Sequence, residues 1–152
     1  MPELVPLDKL KEYVGKEMGI SDWLKIEQDR INAFADCTGD HQWIHVNPEL
    51  AKKGPFGATI AHGYLSLSLL VQLSGGMKVL PAGTKMAINY GLNKVRFLNP
   101  VKVGSKIRNR AVLKSVEDKG GGRILFITEN TVEIEGEEKP ALVAETLAMF
   151  FT

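Results

Sequence analysis

The sequence predicts a single α+β domain, in which a curved antiparallel sheet wraps around one buried helix. Two observations lead to this prediction. Helical patterns of apolar residues occupy the first half of the chain, up to Gly75-Gly76. Alternating strand patterns separated by glycine and proline turns occupy the second half, from Met86 onward. A length of 152 residues suits one domain with a substantial core, so residues 1–152 are treated as one unit.

Four helical segments are expected in the first half. Gly39 is a stop signal for the second of them, and Asn47-Pro48 is a start signal for the third, which Gly54-Pro55 keeps short. The fourth is apolar on nearly all faces, which predicts that it is the buried helix. The segments run from Leu7 to near Gly15, from Gln28 to Cys37, from Asn47 to Gly54 and from His62 to Leu73.

The strand predictions rest on alternation and on turn residues. Gly91 is a possible bulge in the first long strand, and Gly120-Gly121-Gly122 predicts a hairpin turn between the second and third. In the third, the even-numbered positions from Ile124 to Ile134 line one face. The expected strands are a short one from Asp22 to Ile26 and long ones over Lys106–Val116, Ile124–Ile134 and Leu142–Phe151. Met86–Phe97 is expected to be either a pair of strands or one long bent strand.

Composition narrows the class of protein. Hydrophobic residues make up 44% and charged residues 24%, with a formal net charge of +1, which is typical of a soluble globular chain. The absence of a basic block gives no support for a nucleic-acid partner. The single cysteine, Cys37, fits a reducing compartment and is expected in the core. The N-terminus lacks a signal-peptide pattern and no apolar run could span a bilayer, so we expect a cytoplasmic protein without a membrane partner.

The candidate chemistry begins with an acid and an imidazole, Asp40 and His45, five positions apart in the connection after Gly39. By itself, Asp40 would indicate a turn or capping residue, and His45 would indicate a partly buried side chain. Together, in a short constrained connection, the two groups could share one water molecule. General acid–base catalysis needs heavy atoms within about 2.6–3.2 Å of the transferred proton.

Gly63 is the third candidate. It either permits close packing of helix and sheet, or offers a backbone N–H to a developing oxyanion at the start of the apolar helix. The preceding His62 is expected to orient or pack this turn. Trp43 is either a pocket wall or a core residue. Arg96 is expected on a solvated strand face, and it becomes a candidate binding residue if the substrate carries phosphate. The three histidines lack HExxH or CxxC spacing, so no metal site is expected.

These residues form a recognisable set. The sequence resembles the MaoC-like (R)-specific enoyl-CoA hydratases, and most closely their NodN-like branch, from about Val14 to the C-terminus. The matching motifs are Phe34-Ala35-Asp36-Cys37-Thr38-Gly39-Asp40-His41-Gln42-Trp43-Ile44-His45, Gly54-Pro55-Phe56-Gly57, Ile60-Ala61-His62-Gly63, the run from Ile88 to Phe97, and Pro100-Val101.

The resemblance implies a hot-dog fold, a homodimer, and an acyl-CoA thioester bound in a tunnel near the subunit interface, with no metal or redox cofactor. By position, Asp40 and His45 match the catalytic pair, and Gly63 matches the glycine whose N–H polarises the thioester carbonyl. Gln42-Trp43 stands where the family signature usually has Asn-Pro. Gln42 keeps an amide that could hold the loop or a substrate group, and Trp43 adds bulk, so this departure bears on substrate range.

The implied reaction is reversible hydration of a trans-2-enoyl-CoA to an (R)-3-hydroxyacyl-CoA. Two other functions remain open. An acyl-CoA thioesterase on the same fold would also polarise a thioester at a helix N-terminus, and it would release a free thiol. A non-catalytic module that binds acyl-CoA or a lipid signal would need neither Asp40 nor His45.

Overall fold

The computed structural model describes all 152 residues. Short helices and four short strands come first, and four long strands follow. The four long strands are as predicted, whereas only one short strand, from Asp22 to Ile26, was expected. The helices are α1 (Leu7–Leu10), α2 (Gln28–Thr38), α3 (Trp43–Val46), α4 (Pro48–Lys52), α5 (Gly63–Ser68) and α6 (Leu70–Leu73). The strands are β1 (Glu3–Val5), β2 (Glu17–Ile20), β3 (Leu24–Lys25), β4 (Val79–Pro81), β5 (Met86–Phe97), β6 (Lys106–Gly120), β7 (Arg123–Ile134) and β8 (Leu142–Phe151).

The main sheet is antiparallel and has the order β2-β6-β7-β8-β5, with the short β3 also paired to β6. The strands β1 and β4 form a separate parallel pair. The hairpin turn predicted at Gly120-Gly121-Gly122 joins β6 to β7, where all three glycines have a positive φ. The even-numbered positions of β7 are buried, as predicted from the alternation. The register of β5 shifts between Asn89 and Gly91, which confirms the predicted bulge.

The apolar segment predicted as one helix is two helical segments that follow each other directly. The backbone continues through Leu69, whose N–H still donates to the Leu65 carbonyl oxygen at 3.0 Å. The Ser68 hydroxyl donates to the Tyr64 carbonyl oxygen at 2.7 Å. Such a bond from a serine to the carbonyl four residues earlier weakens the helical pattern locally and is a physical reason for the break.

The buried core forms two clusters. One of 14 buried residues joins α2 and the α5–α6 segment to the sheet, and the other of 10 lies between the N-terminal elements and the far end of the sheet. The prediction that the central helix is buried on all faces is wrong for one stripe, because Tyr64 and Val71 are each 70% exposed. Cys37, expected in the core, is exposed as well. In α2 the buried positions are Ile31 and Ala35.

The strand β5 forms one end of the main sheet and pairs only with β8. Its residues are exposed except for the half-buried Val95. The exposed apolar residues of β5 and of the stripe on the central helix are together called the β5 face. Its large apolar residues are Tyr64, Val71, Met86, Ile88, Tyr90, Leu92 and Phe97. None of the helices has the length and hydropathy needed to cross a membrane.

Candidate active site

The loop that carries Asp40 is set by the end of α2. Gly39 adopts a left-handed conformation (φ 79°), and its N–H donates to the Ala35 carbonyl oxygen at 2.8 Å. This is the C-cap that glycine favours, and it turns the chain away from the helix axis. The Asp40 Oδ1 then accepts a hydrogen bond from the Gln42 N–H at 3.3 Å. The second carboxylate oxygen of Asp40 is left free to face the interior.

The structure brings Asp40, His45 and His62 together. The Asp40 Oδ2 lies 4.0 Å from the His45 Nε2 and 4.0 Å from the His62 Nε2. The two imidazole rings stack, with centroids 3.8 Å apart and planes inclined by 22°. Both histidines are buried, whereas the Asp40 side chain is 52% exposed. The cluster is therefore a buried imidazole pair with an acid at its solvent side.

The tautomer of a neutral His45 ring follows from its hydrogen-bond partner. Its Nδ1 lies 2.7 Å from the Ile60 carbonyl oxygen, which can only accept. The neutral ring therefore carries its hydrogen on Nδ1 and keeps a lone pair on Nε2, the atom that faces Asp40. A gap of 4.0 Å between the Nε2 and the Oδ2 is too long for a direct hydrogen bond. It is a suitable separation for one water molecule bound to both.

His62 has a different arrangement. Its Nε2 lies 3.0 Å from the Asp40 carbonyl oxygen, so this nitrogen donates and fixes the loop. Its Nδ1 is buried and has no hydrogen-bond partner. The ring also contacts Phe34 at a centroid distance of 4.9 Å. His62 thus connects the Asp40 loop to the start of α5. Its orienting role and its contact with a substrate stay predictions.

Gly63 follows His62 directly and is the first residue of α5. Neither its N–H nor that of Tyr64 donates to an acceptor of this chain. A Cβ at Gly63 would lie 3.0 Å from the Phe97 Cδ1, so the glycine is closely covered by an aromatic ring. The Tyr64 ring meets Phe97 edge-on at 5.9 Å. The free N–H groups, next to the imidazole pair, could donate to a carbonyl oxygen that gains negative charge.

Gln42 and Trp43 begin the short helix α3. The Gln42 carbonyl oxygen accepts from the His45 N–H at 3.0 Å, so this residue fixes His45 through the backbone. The Trp43 indole lies against Gly54, where a Cβ would come within 2.9 Å of the ring. Trp43 is 40% exposed, so it forms a wall of the loop region and is not a core residue. Contact of either side chain with a substrate stays a prediction.

Arg96 is not part of the cluster. It lies between Val95 and Phe97 on β5, and the flanking side chains face the core and Gly63. Because successive side chains of a strand point to opposite faces, Arg96 points away from the helix start. Its Nη1 donates to the Val95 carbonyl oxygen at 2.7 Å, and the side chain is exposed. Contact of Arg96 with a substrate phosphate stays a prediction, and such a contact would lie on the outer face of the sheet.

His41, the third histidine, lies outside the cluster as well. Its Nε2 is 2.9 Å from the Asp36 Oδ1 on the exposed end of α2. The hydrogen bond to this carboxylate raises the pKa of His41 above its usual value.

Gln28 and Thr59 support the site, and the sequence analysis missed both. The Gln28 Nε2 donates to the His45 carbonyl oxygen at 2.7 Å, and its Oε1 accepts from the Thr59 hydroxyl at 2.5 Å. One amide therefore holds the α3 helix and the segment before Ile60, whose carbonyl oxygen fixes His45. The partners are 17 and 31 residues from Gln28 in sequence, so no local motif could have indicated them.

Replacing Gln28 should destabilise the fold. In Gln28→Leu the His45 carbonyl oxygen and the Thr59 hydroxyl lose a partner in a partly buried position. Unsatisfied groups of this kind lower the free energy of unfolding by about 1–3 kcal/mol, which urea denaturation measures. The control is Gln72→Leu, which removes only an exposed 3.2 Å bond from Arg30 and should change stability by less than about 0.5 kcal/mol. Equal effects in both variants would contradict the supporting role.

A cavity of about 840 Å³ lies between the central helix and the sheet. Its lining begins at Leu67 on α5, continues along α6, and includes residues of β5, β7 and β8. Asp40, His45 and Gly63 do not line it. From Gly63 to Leu67 is one helical turn, about 6 Å along the axis, so the cavity begins close to the cluster. Its walls are mainly hydrophobic, and β5 closes one side.

The chain is similar to known proteins over most of its length. Residues 9–135 match the family model described as the MaoC like domain. The chain is 54% identical over 141 residues to the 3-hydroxyacyl-thioester dehydratase Z of Mycobacterium tuberculosis, covering 93% of each chain. It is 47% identical over 138 residues to the nodulation protein N of Rhizobium leguminosarum, covering 90% of this chain and 85% of the relative.

An R-hydratase from Pseudomonas aeruginosa in the unliganded form has a similar fold, with a TM-score of 0.73 at 24% identity. The alignment covers 98% of this chain and 87% of the R-hydratase. This likeness confirms the hot-dog fold that the sequence resemblance predicts. The family model covers most of the chain, and the relatives align over nearly their whole length. The chain therefore belongs to the MaoC-like dehydratase family.

Proposed function

We propose that this protein is an (R)-specific enoyl-CoA hydratase, which adds water reversibly to a trans-2-enoyl-CoA. The observation that carries the proposal is the pair of acceptors that face each other at the cluster. The His45 Nε2 has a free lone pair because its Nδ1 donates to Ile60, and the Asp40 Oδ2 lies 4.0 Å away. A water molecule bound between them would donate a hydrogen bond to each.

The thioester would be polarised at the start of α5. The Gly63 N–H has no acceptor within the chain, and it directly follows His62 of the cluster. A hydrogen bond from this N–H to the thioester oxygen strengthens as negative charge develops there during attack at C3. A donor of this kind contributes about 3 kcal/mol to transition-state stabilisation.

The proton balance of the reaction is simple. The water oxygen forms a bond to C3, and one proton of this water passes to the pair of Asp40 and His45. The electron pair of the C2–C3 double bond moves onto the thioester as an enolate. The pair then returns the proton to C2 on the same face, giving the (R)-3-hydroxyacyl thioester. We assign the proton to the pair because a water bound between the Asp40 Oδ2 and the His45 Nε2 could pass it to either atom. The proposed reaction uses no metal or redox cofactor.

The acyl chain would occupy the cavity of about 840 Å³ along the central helix. The cavity begins at Leu67, one turn from Gly63, and its walls are mainly hydrophobic. Its volume lies within the range of about 300–1,000 Å³ that small-molecule sites have. A thioester held at Gly63 would therefore direct its apolar tail into this space.

A homodimer is part of the proposal. The β5 face exposes seven large apolar side chains, and β5 is also one wall of the cavity. Surfaces of this kind on soluble proteins mark contact with a partner. A second copy packed on this face would cover the apolar side chains and close the open side of the cavity.

The relative named 3-hydroxyacyl-thioester dehydratase Z supports a thioester substrate.

Hydration of crotonyl-CoA tests the proposal. We expect the absorbance of the enoyl thioester to decrease on addition of the protein, and the product to be the R enantiomer of 3-hydroxybutyryl-CoA. A racemic or S product would contradict the assignment. Release of free thiol would identify a thioesterase, and tight binding without turnover would identify a binding module. A series of longer enoyl thioesters would then measure the chain length that the cavity accepts.

A further inference from the structure

The wall of the cavity along the central helix carries three polar residues in a mainly hydrophobic lining. They are Thr128 and Asn130 on β7 and Thr146 on β8, here called the polar band. On this face of β7, Phe126 of one core cluster precedes the band and Val132 of the other cluster follows it. A buried polar group costs free energy unless it has a hydrogen-bond partner. The polar band therefore needs partners, which either the chain or a ligand must supply.

We propose that the polar band binds a neutral oxygen, in a hydroxyl or keto group, in the tail of the acyl thioester. The protein then prefers enoyl thioesters whose acyl chain carries such an oxygen over those with a plain hydrocarbon chain. The inference rests on the proposed function, which places the acyl chain in this cavity. No charged residue lines the cavity, so a carboxylate in the tail would be desolvated without a counter-charge.

The Thr128 hydroxyl is the free group of the polar band. The residue is 8% exposed, and its hydroxyl makes no hydrogen bond within the chain, whereas its carbonyl oxygen accepts from Asn130. The unpartnered side-chain atoms that the protein fully encloses belong to His62, Asn109 and Ser115, so the Thr128 hydroxyl is not enclosed. Because Thr128 lines the cavity, its hydroxyl is open to the cavity and can donate to a ligand or accept from it.

Asn130 holds the second hydroxyl of the polar band in position. Its Nδ2 donates to the Thr146 Oγ1 at 2.9 Å, and its Oδ1 accepts from the Asn109 Nδ2 at 2.9 Å. The Thr146 hydroxyl donates within the chain only to the Thr128 carbonyl oxygen, over a long 3.4 Å. A ligand oxygen could accept this hydrogen instead. Since Thr128 and Thr146 are register partners on adjacent strands, both side chains lie on the same face at the same depth.

The depth of the polar band determines where the oxygen must lie in the acyl chain. Phe97 covers Gly63 and is the register partner of Leu142 on β8. From Leu142 to Thr146 is four residues along that strand, or about 13 Å at the usual rise. A fully extended chain advances about 1.2 Å per bond, so an oxygen about ten bonds from the thioester carbon would reach the two hydroxyls.

Binding of two saturated thioesters tests the inference without turnover. The probes are 10-hydroxydecanoyl-CoA and undecanoyl-CoA, whose chains have the same number of heavy atoms and no double bond that could be hydrated. Isothermal titration calorimetry on the full chain should show about 3- to 10-fold tighter binding of the hydroxylated probe, the usual gain from one hydrogen bond. The plain chain is bound less tightly because it leaves the Thr128 hydroxyl without a partner in an apolar cavity.

Thr128→Val removes the hydroxyl and keeps the shape of the side chain. It should bind the two probes with affinities within about twofold of each other. The melting temperature should not fall, because the hydroxyl has no partner within the chain. Thr131→Val is the matched control, since Thr131 lies on the same strand, faces the other side of the sheet and does not line the cavity. This variant should retain the preference of the unmodified chain.

Equal or tighter binding of undecanoyl-CoA by the unmodified chain would overturn the inference. A preserved preference in folded Thr128→Val, or its loss in folded Thr131→Val, would do the same. If neither probe binds, the acyl chain does not occupy the cavity and the inference is wrong as well. If crotonyl-CoA is not hydrated, the calorimetric comparison still decides whether the polar band binds an oxygen. If hydration occurs without the preference, the proposed function stands and the polar band is excluded as a specificity site.

Discussion

Asp40→Asn should lower kcat for crotonyl-CoA hydration by about 100- to 10,000-fold, the usual contribution of general acid–base catalysis. The amide has the size of the carboxylate and can still accept the hydrogen bond from the Gln42 N–H. It cannot take a proton from the bound water. His45→Gln should have an effect of the same order, because the lone pair that faces Asp40 is lost. The enoyl absorbance at saturating substrate measures both rates.

Asp36→Asn is the matched control. Asp36 lies four positions before Asp40, is largely exposed and pairs with His41 at 2.9 Å on the outside of α2. Its replacement removes a carboxylate of the same charge and should leave kcat within about twofold. A rate near that of the unmodified chain in either Asp40→Asn or His45→Gln would remove the pair from the mechanism. An equal loss in Asp36→Asn would indicate that net charge, and not the water site, determines the rate.

The helices and long strands were predictable because their patterns are local. A period of two along β7 and a glycine stop after α2 are visible within a few residues, and both are confirmed. The supporting contacts of the site were not predictable in this way. His62 meets Asp40 across 22 residues, and Gln28 meets Thr59 across 31. Side chains that far apart are brought together where the segment before α5 lies against α2, as in the contact of His62 with Phe34, and no spacing motif encodes this packing.

The errors of the sequence analysis have a physical reason. An apolar pattern predicts that a side chain will be covered, and it does not tell whether the same chain or another one covers it. Tyr64 and Val71 fit a buried helix by composition, yet both are 70% exposed in the single chain. Cys37 fits the apolar side of α2 and is exposed as well, at the end of that helix. A second copy on the β5 face would cover Tyr64 and Val71, and their apolar pattern would then agree with their burial.

Tyr90→Asp should therefore convert the protein from a dimer into a monomer. Tyr90 is 60% exposed near the middle of the β5 face. It is the extra residue of the bulge between Asn89 and Gly91 and has no register partner in β8, so its replacement leaves the β5–β8 pairing intact. A carboxylate there would be desolvated without a counter-charge by an apolar partner surface. Light scattering after size exclusion should report 16.7 kDa for the variant and twice that mass for the unmodified chain.

Val14→Asp separates this effect from a general loss of solubility or fold. Val14 is also an exposed apolar residue, at 42%, but it lies outside the β5 face. The same charge placed there should leave the mass at that of the dimer. Because association stabilises the folded state by mass action, the melting temperature should depend on protein concentration in Val14→Asp and not in Tyr90→Asp. An unmodified chain that is monomeric at micromolar concentration would contradict the dimer, and the open wall of the cavity would then be its native state.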